Sequence, residues 1–215
     1  MILTIETSTD IATLGLFDYE NELINSISYE CRNDMAKEMF TRLDALMSGK
    51  SIHDIKLILV TLGPGSFTGV RIGVITAKML AAELNIPIIG VSALTALAAK
   101  QKDTDNIVMP IINARRKELY FKLCSNGNDV LTETAGNKEF LRKALSKYSN
   151  DKIVVIGIAE NLPEDLNALL SEYKVIKSEI TPEHILSACS ERIATKDFDD
   201  PLTLAPIYLR SATDR

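Results

Sequence analysis

The chain has no tryptophan, two histidines, three cysteines and 6% aromatic residues in 215 positions. Each scarcity removes a class of function. A metal centre needs clustered ligands, and His53 and His184 stand far apart, neither one helical turn from another histidine. No metal is expected. Cys31, Cys124 and Cys189 are scattered without paired spacing. An odd, unpaired set reads as reduced thiols and core fillers rather than a disulfide framework, so a cytoplasmic location is expected. Apolar runs stop well short of the ~20 residues of a membrane span. No positive segment precedes the first apolar strand, so nothing there reads as a secretory signal. Positive charge is short too: 24 basic against 29 acidic side chains leave a net charge of -5. Neither half has the field of a stand-alone nucleic-acid binder. The one dense basic cluster, Arg115-Arg116-Lys117, reads as a solvated turn leading into a strand.

What is present is ordinary for a globular protein, 46% hydrophobic and 25% charged. The unusual segment is Gly63-Pro64-Gly65-Ser66-Phe67-Thr68-Gly69-Val70-Arg71-Ile72-Gly73, which holds four of the ten glycines. It follows the apolar run Leu57 to Leu62 and opens a long apolar helix. Gly63 and Gly65 read as a tight strand-to-helix turn. Gly69 and Gly73 lie inside the helix, where each costs ~1 kcal/mol relative to alanine. With Ala77 and Ala81 they recur every four residues and form one smooth ridge that something approaches closely. The segment is no P-loop, because no lysine occurs before Lys78. It is no dinucleotide fingerprint, because its third glycine comes one residue late. It is no nucleophile elbow, because Pro64 and Thr68 flank Ser66 at the glycine positions. Without those, a glycine turn followed by a tightly packed helix remains.

Periodicity divides the chain into two α/β halves. The first reads as strands near 2–6, 11–18 and 22–29, a helix from Asp34 to Met47, a strand at 56–62, a helix at 68–84, a strand at 87–91 and a helix from Ser92 to Lys100. The second reads as strands at 107–113, 118–124 and 128–132, a helix at 138–148, a strand at 153–157, a helical patch at 164–171, a strand at 174–177 and a helix at 183–195 behind Thr181-Pro182. The polar stretch 101–106 is the expected boundary, giving lobes 1–105 and 106–215.

The glycine segment closely resembles the signature of the bacterial TsaB (YeaZ) family. Ile2-Leu3-Thr4-Ile5-Glu6-Thr7-Ser8-Thr9 is similar to that family's opening strand and turn, with Glu6 where Asp is usual. Ile112-Asn113-Ala114-Arg115-Arg116-Lys117-Glu118-Leu119-Tyr120 resembles its second-half motif, with Asn113 in place of Asp. Pro206-Ile207-Tyr208-Leu209-Arg210 resembles its C-terminal ending. The four motifs span nearly the whole chain in order.

The resemblance implies an actin/Hsp70/sugar-kinase (ASKHA) fold with a duplicated βββαβαβα topology. It implies a subunit, without catalysis of its own, that pairs with TsaD through helices of the N-terminal lobe. TsaE would be a further member, and the assembly would form threonylcarbamoyladenosine in tRNAs reading codons that begin with adenine. The chain would meet tRNA through the complex and involve no membrane and no cofactor; whether it is a monomer or a homodimer when alone is left open by the resemblance. TsaD carries a His-x-x-x-His metal motif on its first helix, and the helix from Asp34 to Met47 has no histidine. The metalloprotease label attached to relatives therefore lacks its ligands. A nucleotide pocket would use Glu6, Thr7, Ser8 and Thr9, with Asn113 in the second lobe and an adenosine turn around Gly157 in the stretch Val155 to Asn161. Asn113 is neutral, and side chains at Thr7 and Ser8 replace the usual glycine, so the pocket is degenerate. Glu6 also reads as a hydrogen-bonded structural acid. A free-standing small-molecule kinase or ATPase of this fold is the alternative. The expected partner surface is Met35, Met39 and Leu43 on the first helix, whose apolar arc is wide and rich in adaptable methionine, beside the ridge Gly69, Gly73, Ala77 and Ala81.

Overall fold

A computed structural model describes residues 1–30, 35–101, 104–157 and 162–209. The chain forms two compact units. The first is built on a five-stranded sheet of order β3-β2-β1-β4-β5, from β1 (Ile2–Glu6), β2 (Ile11–Phe17), β3 (Leu23–Glu30), β4 (Leu57–Thr61) and β5 (Ile88–Val91). The meander β1-β2-β3 is antiparallel, and β4 and β5 add in parallel beside β1. Central β1 and β4 are buried at every residue, which their near-continuous apolar runs require of strands covered on both faces. Edge strand β3 alternates in burial from Asn25 onward and carries Ser26, Ser28 and Glu30 outward, while Asn25 turns in and donates to the Leu46 carbonyl at 3.0 Å.

Two helices of this unit bear on the site. Helix α1 (Met35–Met47) packs on β2 and β3, and α2 (Phe67–Leu84) packs on β4 and β1. Ser66 caps α2, its hydroxyl accepting the Gly69 N–H at 3.2 Å, and Asn85 in the left-handed conformation (φ 51°) ends it. The expected cap of α1, Asp34, lies outside the described residues. A short helix, α3 (Ala93–Ala98), follows β5.

The second unit repeats the topology, with sheet order β10-β9-β6-β7-β8. Its elements are β6 (Ile107–Asn113), β7 (Leu119–Ser125), β8 (Asn128–Gly136), α4 (Lys138–Leu145), β9 (Ile153–Gly157), α5 (Glu164–Leu170) and β10 (Lys174–Lys177). The fold is the expected ASKHA-type α/β architecture. Strand β8 runs four residues past its expected end because it stays paired with β7 as far as Gly136 opposite Leu119. Helix α4 stops three residues short of the expected 148, and the chain turns at Ser146. The hairpin between β6 and β7 is unusual. Arg115, Arg116 and Lys117 all take left-handed backbone conformations (φ 62°, 51° and 62°), at ~1–2 kcal/mol each for residues with a Cβ.

The expected boundary puts all of 106–215 in the second lobe, and the structure divides the C-terminal part differently. The first unit comprises Met1–Ala96 with Ile180–Ile207, and the second Leu97–Glu179 with Tyr208–Arg215. Helix α6 (Pro182–Thr195) returns to the first sheet, where it packs on β1, β2, β4 and β5. The reason is a vacancy for a covering layer. Gly15 of β2 leaves room for Pro182 against the sheet, and a Cβ there would lie under 3.0 Å from it. The segment after α6, which meets β5 through a single bridge between Asp199 and Ile88, is then tied down. Arg192 binds Asp199 with two guanidinium nitrogens (3.0 and 3.2 Å), Asp197 at 2.8 Å and the Gly90 carbonyl at 3.1 Å, and Asp199 accepts the Gly90 N–H at 2.7 Å. Among the described residues, no helix is long and apolar enough to cross a membrane.

Candidate functional site

At the C-terminal end of β1 the chain turns through Glu6, Thr7, Ser8 and Thr9, all buried. Glu6 Oε1 accepts three hydrogen bonds from its own turn: Ser8 N–H at 2.6 Å, Ser8 hydroxyl at 2.5 Å and Thr9 N–H at 3.2 Å. The Thr7 hydroxyl donates to the Gly69 carbonyl at 2.8 Å, and Ser8 O accepts the Ser66 N–H at 2.7 Å. The turn is thus stitched to the first turn of α2. Among the described residues, Glu6 Oε2 and the hydroxyl of Thr61, at the end of neighbouring β4, find no hydrogen-bond partner. Burial pushes the Glu6 carboxyl above its usual range, against the pull of the hydrogen bonds from Ser8 and Thr9.

The four turn residues therefore come together, but not as a nucleotide site. A phosphate needs open backbone N–H groups, and those of Ser8 and Thr9 are occupied by Glu6. The seat above the turn is filled by the glycine loop: a Cβ at Gly65 would lie under 3.0 Å from Ser8 O, and one at Gly69 equally close to Thr7 O. A hydrated magnesium ion needs an accessible carboxylate, and Glu6 is 0% exposed. The residues present do not fit nucleotide or magnesium.

In the second unit, Asn113 ends β6 and Gly157 ends the parallel neighbour β9, where it pairs with Ile111. Asn113 Oδ1 accepts the Arg115 N–H at 2.8 Å and shapes the hairpin. Gly157 sits at φ 140°, with the Ile111 carbonyl where a Cβ would be. Its absent side chain serves strand packing. Residues 158–161 of the expected adenosine turn lie outside the described residues.

The expected partner surface is corrected by burial. Gly69 and Gly73 face Thr7 and Ile5, so the smooth ridge admits the chain's own β1 turn. Ala77 and Ala81 continue it into the core, which Met39 and Leu43 of α1 join, and Met35 is buried as well. A segment under 3.0 Å from a glycine's virtual Cβ leaves no room for a second occupant. The exposed face of α2 is the opposite one. Phe67, Ile75 and Met79 are 41%, 55% and 60% exposed, and Arg71, between them in the same four-residue register, stacks on the Phe67 ring at 3.6 Å. Phe40 of α1, in the helix that packs beside α2, is 54% exposed. The signal for this face was in the sequence, as a second four-residue series two positions off the glycines. Two residues are ~200° around a helix, so one series faces in when the other faces out.

Among the described residues, no group of three or more His, Cys, Asp or Glu could hold a metal ion. His53 lies in an exposed 3-10 turn, Ile52–Asp54, as expected of a turn residue. His184, expected at the surface of the second lobe, is buried in the first unit, its Nδ1 accepting the Thr181 N–H at 3.0 Å to cap α6. Burial pushes the Cys124 thiol up to about 11 and that of Cys189 up to about 12, which makes both inert core residues.

Comparison with known proteins gives a consistent answer. Residues 34–150 match the family model described as TsaD, tRNA N6-adenosine threonylcarbamoyltransferase. The tRNA threonylcarbamoyladenosine biosynthesis protein TsaB of Escherichia coli is 30% identical over 163 residues, 72% of this chain and 70% of that one. The Bacillus subtilis protein of the same name is 34% identical over 142 residues, 65% of this chain, and the match spans 62% of that relative's length. The structure of YeaZ from Pseudomonas aeruginosa superposes with a TM-score of 0.75 at 21% identity, over 97% of this chain and 99% of that one. A ROK family protein from Streptococcus pneumoniae shares the fold at a TM-score of 0.51.

Proposed function

The chain belongs to the TsaB family, and from that premise we propose that it serves the formation of N6-threonylcarbamoyladenosine in tRNAs reading codons that begin with adenine, as a non-catalytic subunit that docks on TsaD. TsaE joins the assembly, tRNA is met within it, and the free chain pairs with a second copy of itself. The observation that carries this reading is the outer face of α2: Phe67, Ile75 and Met79, with Phe40 from α1, leave an apolar surface on helices while the acid turn beneath is closed to ligands. A face of this kind suits helix-against-helix packing, with aromatic and Met anchors supplying the affinity. The absence of an open acid speaks for docking over kinase chemistry.

The test is the double variant Ile75→Asp, Met79→Asp. It should keep the fold, because both side chains are more than half exposed. It should lose co-purification with TsaD and lower threonylcarbamoyladenosine in cellular tRNA as far as depletion of the chain does, measured by nucleoside mass spectrometry. Intact pairing with TsaD, or modified nucleoside that survives depletion, would refute the proposal.

A further inference from the structure

The hairpin between β6 and β7 is built at odds with its own residue types. Arg115, Arg116 and Lys117 are three consecutive residues in the left-handed region, and none is glycine or asparagine. A turn selected only for solvation would use those two, which adopt this conformation with little strain. The tip is nonetheless held firmly. Ala114 N–H donates to Glu118 O at 3.0 Å, Glu118 N–H to Arg115 O at 3.0 Å, and Arg115 N–H to Asn113 Oδ1 at 2.8 Å. Buried Ala114 and Leu119 anchor its two stems, while all three basic residues are exposed. Strain kept in a rigid, exposed turn points to a use for the side chains it carries.

Charge narrows that use. The protein has a net charge of -5, so most of its surface repels a polyanion, and this tip is its one dense run of cations. Guanidinium groups match phosphate oxygens in a bidentate fork, and lysine adds a point charge. The hairpin also lies inside residues 34–150, the stretch that matches the tRNA-modifying family model. We infer that the Arg115-Arg116-Lys117 tip is an RNA contact, gripping the phosphodiester backbone of the tRNA as it sits in the complex. The inference rests on the proposed function and adds to it a direct contact from this chain. Such contacts position the RNA and read no sequence.

The experiment replaces the three residues together, Arg115→Asn, Arg116→Asn and Lys117→Gly. These types accept the left-handed backbone, so the variant should melt no lower than wild type. Binding of an unmodified tRNA transcript is measured against salt concentration, for the full chain purified with TsaD and, in parallel, for the full chain alone. Losing three phosphate contacts should weaken binding about tenfold near physiological salt and make the slope of log affinity against log salt shallower by about two to three. The charge-keeping variant Arg115→Lys, Arg116→Lys should retain most of the slope. A folded triple variant with unchanged affinity and slope would overturn the inference. So would loss of TsaD pairing with tRNA binding intact, which would make the tip a protein contact. If TsaD fails to co-purify with the wild type, the proposed function falls by itself, and the titration of the chain alone still decides about the tip.

Discussion

Replacing Gly69 with alanine tests how α2 is seated. In a solvent-facing helix the change would add ~1 kcal/mol of stability through propensity. Here the new Cβ would lie under 3.0 Å from the Thr7 carbonyl oxygen, closer than real Cβ atoms come to a heavy atom. The obstacle is backbone, and the turn that carries it is fixed by three hydrogen bonds to Glu6. It cannot swing aside as a flexible side chain would. The helix must withdraw, which strains the Thr7 hydroxyl bond to Gly69 O (2.8 Å) and loosens Val70 and Val74 against Ile5. Overpacking costs ~1–3 kcal/mol and the hydrogen bond ~0.5–1.5 kcal/mol. After subtracting the propensity gain, the net loss is ~2 kcal/mol. For a chain of this size that lowers Tm by roughly 4–8 °C. Gly49→Ala is the control: among the described residues nothing lies within 4 Å of the added Cβ, and only its φ of 82° resists, so the loss should stay near 1 kcal/mol. Chemical denaturation of the three proteins measures the difference. A Gly69→Ala protein at least as stable as wild type would mean that α2 does not lie this close to the β1 turn.

Glu6→Gln tests the buried acid. Because the folded-state pKa is raised above 4.5, the folded chain holds the proton more tightly than the unfolded one. The acid's contribution is therefore fullest below about pH 4.5 and is lost as pH rises through the folded pKa. Glutamine keeps an acceptor for Ser8 and Thr9 and offers a donor towards Thr61, so the stability profile should be flatter as pH rises above the ordinary carboxyl range. An unchanged profile would refute a perturbed Glu6. Arg192→Ala removes the clamp on Asp197, Asp199 and Gly90. Since the side chain is 30% exposed, the loss should be ~1–2 kcal/mol, with proteolytic cleavage appearing first within 197–207. Cleavage no faster than wild type would show that the segment is held by other contacts.

Much of the architecture was legible because strand and helix periods are local properties. Runs such as Leu57 to Thr61 are apolar at every position, and the two meanders repeat in the same order. Glu6 was legible as a structural acid from its place at a strand end followed by Thr, Ser and Thr. The ridge of α2 faces inward for a reason the sequence does not carry. Small residues every four positions announce a close approach, but not by what, and a second four-residue series, of large residues, lies on the opposite face of the helix. Met35, Met39 and Leu43 were likewise read as surplus, when β2 and β3 supply their cover. The position of α6 was invisible for a related reason: its apolar stripe fits either sheet.

By itself, then, the sequence determined the order of elements, the glycine turn, the family and the neutral chemistry of Asn113, all of which depend on residue type and on neighbours within a few positions. Only the tertiary structure decided which ridge of α2 faces inward, that the Glu6 carboxylate occupies the amides a phosphate would need, that α6 closes the first unit, and that three cations share a strained tip. The inward ridge of α2 and the seat of α6 depend on packing between segments about 60 and 170 residues apart, Thr7 with Gly69 and Gly15 with Pro182, while the Glu6 turn and the tip are local conformations that residue type alone does not announce. Free energies at such contacts are set by shape and burial, which the pattern of one segment does not carry.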